Sequence, residues 1–166
     1  MAAKIVKGKV RPSCGARCLA QAAGRLGVSL GEDEAGALAD ERPGQASMAG
    51  LMRAAAAKGL IGRPEQWTLL ELAARGNGLA GQVLLHFPAG DGHFMLFEHF
   101  DGRTCQATDP STLSGEVQIP LDKLERWWDG KVLVIEKAAP AAKGAVAATS
   151  GKAVKVAAGG VKKRSR

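Results

Sequence analysis

The sequence predicts an α+β fold, a helical front half packed on an antiparallel sheet contributed by the back half. Three observations predict it. Up to about residue 80, apolar residues recur at helical spacing behind Ser or Thr caps and stop at glycines. From Gly81 the period shortens to runs of five to eight apolar, aromatic and β-branched residues separated by turn pairs such as Asp101-Gly102. The two patterns are segregated along the chain rather than alternating, which separates α+β from α/β. An apolar fraction of 46% in 166 residues is enough for one core, although aromatics make up only 4%.

In chain order, residues 1–11 read as a short basic extended arm, with Pro12 holding Arg11 extended. Ser13 is placed to cap a helix from Cys14 to about Leu26, with Leu19, Ala22 and Leu26 toward the core and Gly27 ending it. Acids in the first turn of Ser29–Asp40 favour a short second helix. The Pro43-Gly44 pair marks a turn. Ser47 caps a third helix with Met48, Leu51, Met52 and Ala55 on one face and Gly59 as its stop. Trp67–Ala74 reads as another short helix. Gln82–Phe87 is a mostly buried strand, Pro88–Gly92 a tight turn, His93–Phe100 the next strand and Thr104–Thr108 its hairpin return. Val117–Ile119 adds a short strand, Leu121–Trp128 a helix and Lys131–Ile135 a last strand.

Charge divides the chain. Residues 137–166 carry eight Lys/Arg and no acid, and residues 1–11 four more, whereas 12–136 carry 11 basic and 16 acidic residues, a net of −5. The overall pI of 9.6 therefore describes the ends and not the folded body. The segment 137–166 is rich in Ala, Gly and Lys and lacks aromatics, so it reads as a disordered basic tail. Three cysteines in no metal-binding spacing read as reduced thiols. Nothing calls for a metal or cofactor. The N-terminus lacks the apolar run of a secretory signal, and no stretch approaches the roughly 20 apolar residues of a membrane span. The expected location is the cytoplasm, or the interior of a virion or other particle.

The chemistry gathers at three places. A cysteine attacks a carbonyl as thiolate, and a helix N-terminus favours that charge; Cys14 directly follows the Ser13 cap. Gly15 beside it would let other backbone or a substrate approach. Cys18, one turn further on, and Cys105, within a strand, read as structural thiols. His93 begins a strand after a Gly-rich turn, and Asp109 ends the strand paired with it. A hairpin centred on Asp101-Gly102 brings these two ends together within about one or two residues of register. Nucleophile, base and orienting acid are then available as Cys14, His93 and Asp109. His86, ahead of the turn, and His99, with the face parity of His93 but nearer the hairpin tip, are weaker bases. The plainer reading makes Cys14 a small half-buried residue and Asp109-Pro110 a turn.

At these residues the sequence resembles the papain-like cysteine peptidases of the C39 type, the double-glycine peptidases that trim bacteriocin leaders. Cys14-Gly15-Ala16-Arg17-Cys18-Leu19 matches the nucleophile segment. Gly44, Ser47, Gly50-Leu51, Ala55-Ala56 and Gly59-Leu60 match the mid-domain helix, and His93-Phe94 the histidine strand. Asp109-Pro110 matches the acid segment, and Pro120-Leu121 to Trp128 the last helix. The likeness covers about residues 10–136 and implies a papain-like fold over 12–136 in a stand-alone form, with a peptide or protein substrate cut, on the family's preference, after Gly-Gly. Two positions depart from the pattern. The family's oxyanion glutamine, six residues before the nucleophile, is here Gly8 between Lys7 and Lys9, and the usually acidic or Asn-like residue before the cysteine is Ser13. Gly159-Gly160 in the tail is itself a double glycine, in a composition where such a pair arises by chance.

Lys152, Lys155, Lys162, Lys163, Arg164 and Arg166 form a candidate polyanion-binding stretch, toward nucleic acid, an acidic protein surface or anionic lipid. Two function classes follow. One is a thiol peptidase or amidase with a charged tether. The other is a peptidase-like domain used as a structural or binding component of a larger viral or nucleic-acid-containing assembly, anchored by its basic termini. The intact Cys14, His93 and Asp109 favour the first; Gly8 and the basic ends favour the second.

Overall fold

A computed structural model describes residues 10–140 and has the predicted α+β architecture. The helices come first: α1 (Cys14–Arg25), α2 (Glu32–Ala39) and α3 (Met48–Ala57). Ser13 and Ser47 cap α1 and α3 through their hydroxyls, which accept from the Ala16 N–H at 3.1 Å and the Gly50 N–H at 3.0 Å. Gly27 and Gly59 end the same two helices at φ +73° and +72°, a conformation that side chains with a Cβ resist. Helix α2 starts at Glu32 rather than Ser29, because Gly31 supplies the cap conformation and three acids fill the first turn. A small hairpin, β1 (Asp40–Arg42) and β2 (Gln45–Ala46), turns at Pro43-Gly44.

The main sheet has six antiparallel strands in the order β3-β8-β4-β5-β6-β7: β3 (Leu60–Gln66), β4 (Gln82–Phe87), β5 (His93–Phe100), β6 (Thr104–Thr108), β7 (Glu116–Pro120) and β8 (Lys131–Lys137). Strands β4 and β8 are buried on both sides. Leu84, Leu133 and Ile135 join α1, α2 and α3 in one core, while Val83, Leu85, Val132 and Val134 join Trp67, Leu72, Leu124 and Trp128 in a second core behind the sheet. Period-2 alternation thus feeds two cores from one strand. The second core is closed by α5 (Leu121–Trp127) and by α4 (Leu69–Glu71), which continues into a π-helical turn, Leu72–Gly76.

Three differences from the sequence reading have physical causes. Strand β3 was not expected, since Gly62, Pro64 and the charged Arg63 and Glu65 argue against a strand. It is an edge strand paired only with β8, the one setting where a proline without an N–H is tolerated. The helix expected over Trp67–Ala74, after Thr68 or nearby, does start at Thr68, through a reciprocal Thr68–Glu71 capping box, but it widens into the π turn. That turn delivers Asn77 to the open edge of β5, where its amide pairs with both the C=O (2.7 Å) and the N–H (2.9 Å) of Phe100. Third, a bulge between Phe97 and His99 reverses the parity of β5. Phe97 and Phe100 both face the second core, and His99 is exposed on the other face from His93, contrary to the parity expected for an unbroken strand.

Candidate active site

The site lies where the N-terminus of α1 meets the start of β5. Cys14 is the first residue of α1 and is partly exposed. Its sulfur accepts the Phe94 N–H at 3.4 Å, and one turn on the buried Cys18 thiol donates to the Phe94 carbonyl, also at 3.4 Å. A single residue of β5 is thereby held at both ends of its backbone by α1. Gly15 makes this approach feasible, since a Cβ there would meet the Phe94 ring at 3.0 Å and Leu51 at 3.1 Å. Its small size serves helix–sheet packing, the close approach of another part of the chain that was one of the two readings from sequence.

His93, beside Phe94, acts electrostatically on the Cys14 sulfur and places Nε2 3.1 Å from Asp109 Oδ2. The register explains the meeting. Leu96 pairs with Thr108, so Asp109 falls opposite Met95, on the face of His93 and two residues from it. Asp109 is only 6% exposed. Its other oxygen accepts from the Ser111 N–H (2.8 Å) and hydroxyl (2.6 Å), and its backbone is pinned by Gly115 and Thr112. The carboxylate is thus fixed by its own turn before it meets the histidine.

The electrostatics favour an ion pair. Burial opposes a thiolate at Cys14, but the His93 hydrogen bond, the Phe94 N–H, the imidazolium charge and the Gly15 N–H together bring its pKa below the usual 9.0. The hydrogen bond to the Cys14 sulfur leads the causes that push His93 up to about 9, against burial and with help from the thiolate and Asp109. Burial also opposes the charge on Asp109, yet Ser111 and His93 keep it below the ordinary carboxylate value. Cys18 and Cys105 are driven the other way by burial, Cys105 to about 12, so both remain thiols.

Of the residues singled out from sequence, Cys14, His93 and Asp109 come together. His86 does not join them; it bonds Asp129 at 3.2 Å through Nδ1 and stacks edge-on against Phe94. His99 stays exposed away from the site. Gly8 and Lys152, Lys155, Lys162, Lys163, Arg164 and Arg166 lie outside the described residues, as do most of the basic arm and tail. Among the described residues no cluster of His, Cys, Asp or Glu is placed to hold a metal, and no helix is long and apolar enough to cross a membrane.

Two cavities flank the Pro88–Gly92 turn. One, of about 630 Å³, is lined by Ala46, Met48, His86, Asp91 and Phe94 on the Cys14 side. The other, of about 620 Å³, is mostly apolar, with Met95, Val117 and Trp127 in its wall, and His93 is among the residues that line it. Sequence reasoning missed Ser111, Asp40 and the Phe94 N–H. Ser111 had a signal, a serine two residues after the aspartate in an Asx-turn spacing; the other two depend on tertiary contact alone.

Comparison with known proteins bears on family and fold. The peptidase C39 family model matches residues 2–140. No curated protein sequence matches the chain significantly. Among solved structures, the chain is similar to a double-glycine-motif protease from an AMS/PCAT transporter in complex with the leader peptide, with a TM-score of 0.66, 20% identity and coverage of 76% of this chain and 85% of that one. The peptidase domain of Streptococcus ComA, a bifunctional ABC transporter in quorum sensing, matches with a TM-score of 0.67, 16% identity and coverage of 78% and 100%. The N-terminal C39-like domain of a toxin-secretion ATP-binding protein from Vibrio parahaemolyticus gives 0.56, 19%, and 76% and 98%. At these identities the neighbours establish a shared fold.

Proposed function

Because the chain belongs to the peptidase C39 family, and so to the cysteine peptidases, we propose that it cuts a peptide bond after a double glycine, with Cys14 as nucleophile, His93 as general acid–base and Asp109 as the carboxylate that orients it. The observation that carries this reading is His93 bridging the Cys14 thiol and the Asp109 carboxylate, the latter at 3.1 Å. The Cys14 thiolate adds to the scissile carbonyl, and the electron pair moves onto the carbonyl oxygen. His93 then gives its proton to the departing amine, the C–N bond breaks and a thioester remains. Water, losing a proton to the now neutral His93, adds to the thioester and releases the carboxylic acid, returning Cys14 as thiolate and His93 as imidazolium.

The preference for double glycine is supported by the family and by the neighbour bound to a leader peptide. The mostly apolar cavity that His93 lines suits it, since it can take a flanking side chain while residues without a Cβ lie close to the backbone beside the dyad. The test is cleavage of a fluorogenic peptide with Gly-Gly before the reporter amide. Cys14→Ala and His93→Ala should abolish turnover, and Asp109→Asn should lower kcat on the order of 10²–10⁴-fold. Turnover surviving in Cys14→Ala would overturn the assignment.

A further inference from the structure

The N-terminus of α1 offers its first backbone N–H groups to whatever lies beside Cys14, and nearly all of them are accounted for. The Ser13 N–H goes to Asp40 Oδ2 at 3.0 Å, and the Ser13 hydroxyl to Asp40 Oδ1 at 2.5 Å. The Ala16 N–H goes to Ser13 Oγ and the Arg17 N–H to the Ser13 carbonyl. The Gly15 N–H is directed at the Cys14 sulfur. Within this first turn, and among the described residues, the N–H of Cys14 itself has no acceptor, and it belongs to the residue whose Sγ would attack a carbonyl and leave charge developing on the carbonyl oxygen.

Asp40 is what makes this allocation definite. It stands at the junction of α2 and β1, 27 positions from Ser13 along the chain, and its two oxygens take both donors of the capping residue. Ser13 is only 4% exposed, so no water competes freely for those donors. With its proton committed to Asp40, the Ser13 hydroxyl turns its lone pairs toward Ala16, and the cap is held in one state. We infer that Asp40 is a positioning residue for oxyanion stabilisation: by clamping Ser13 from a separate element it sets the direction of the Cys14 N–H. The inference rests on the peptidase reading above. It gives the role of holding the oxyanion donor to a residue outside the triad, in a chain whose Gly8 has no side chain to help.

The experiment compares two reactions of the same thiol in the full chain. Alkylation by iodoacetamide needs the thiolate but creates no oxyanion; acylation by p-nitrophenyl acetate passes through a tetrahedral oxyanion, expels p-nitrophenolate and leaves a thioester. The ratio of the two rate constants isolates oxyanion stabilisation from thiolate formation. In Asp40→Ala and Ser13→Ala acylation should fall by about 10- to 100-fold, a share of what loss of one oxyanion donor removes, while alkylation keeps its rate and pH midpoint. The double variant should be no worse than the poorer single one, because the two act as one unit. Asp40→Asn, which keeps one acceptor and the side-chain volume, should fall between. A ratio unchanged in Asp40→Ala and Asp40→Asn overturns the inference and leaves the peptidase reading intact, and so does an equal loss of both reactions, the mark of a general structural role. A wild-type Cys14 that alkylates but never acylates removes the peptidase reading and this inference with it.

Discussion

His93 and Cys14 share one proton economy, and its sign sets the pH response. His93, raised from 6.5 to about 9, keeps its proton through neutrality, while Cys14 gives its own up below 9.0. Activity should therefore rise as pH climbs through the lowered thiol pKa and fall as pH passes about 9, where His93 can no longer protonate the leaving amine. The two inflections belong to the pair and not to either residue alone. The signs for stability differ between the partners. His93, with its folded pKa above the unfolded value, contributes stability fully present below 6.5 and lost as pH rises through about 9. Asp109, held below 3.8, contributes stability present above that value and lost as pH falls through its folded pKa. The measurement is an NMR titration of the His93 imidazole. Because the Cys14 sulfur leads the causes of its shift, Cys14→Ala should bring the midpoint down toward the ordinary histidine value, and Asp109→Asn should bring it down less. A midpoint unmoved by Cys14→Ala would dispose of the ion pair.

At the level of elements, the site depends on how closely α3 approaches the end of α2. A Cβ on Gly50 would run into the Ala39 carbonyl oxygen, which is backbone and cannot swing aside. Ala39 is followed at once by Asp40, so the close approach of α3 also fixes the acid that holds Ser13. Gly50→Ala should destabilise the fold by about 1–3 kcal/mol or more through overpacking, seen as a lower midpoint in urea with an unchanged slope. An unchanged midpoint would mean that α2 and α3 are not seated as described. This contact was invisible in the sequence, where Gly50 is one small residue among many, and its neighbours in legibility follow the same rule. The strands from Gln82 to Thr108 were readable to the residue, because Asp101-Gly102 fixes their register and apolar runs fix their length. That register brought Asp109 to the His93 end of β5, and the bulge at Glu98 set it on the same face as His93. What stayed hidden lacks a local signature. Edge strand β3 draws its stability from β8 rather than from its own residues. The bulge at Glu98 is favoured by partners on other elements, Arg25 on α1 at 2.8 and 2.5 Å and Thr108 on β6 at 2.7 Å. The Asp40 clamp joins residues that no spacing rule connects.

For the molecule as a whole, one sheet separates two cores, and only one of them carries the nucleophile. The helical side packs Cys14 against the core that contains Leu51, Phe94 and Leu96, while the far side, built on Leu72, Leu124 and Trp128, reaches the site through the strands and through Trp127 at the cavity beside His93. Leu51 and Leu124 are both fully buried, so truncating either to alanine should destabilise by a similar amount, about 2–5 kcal/mol. Their effects on chemistry should diverge. Leu51 lies against Gly15, so Leu51→Ala loosens the seat of α1 on Phe94 and should raise the pH at which Cys14 alkylates, since both the Phe94 N–H and His93 act on the sulfur across that contact. Leu124→Ala should leave the alkylation midpoint where it is in the still-folded protein. Residues on opposite faces with no shared partner should also add in the double variant to within about 0.5 kcal/mol. Equal shifts of the alkylation midpoint in the two variants would show that the sheet transmits strain between the cores, and that the nucleophile is set by the whole domain rather than by the helix–strand contact beneath it.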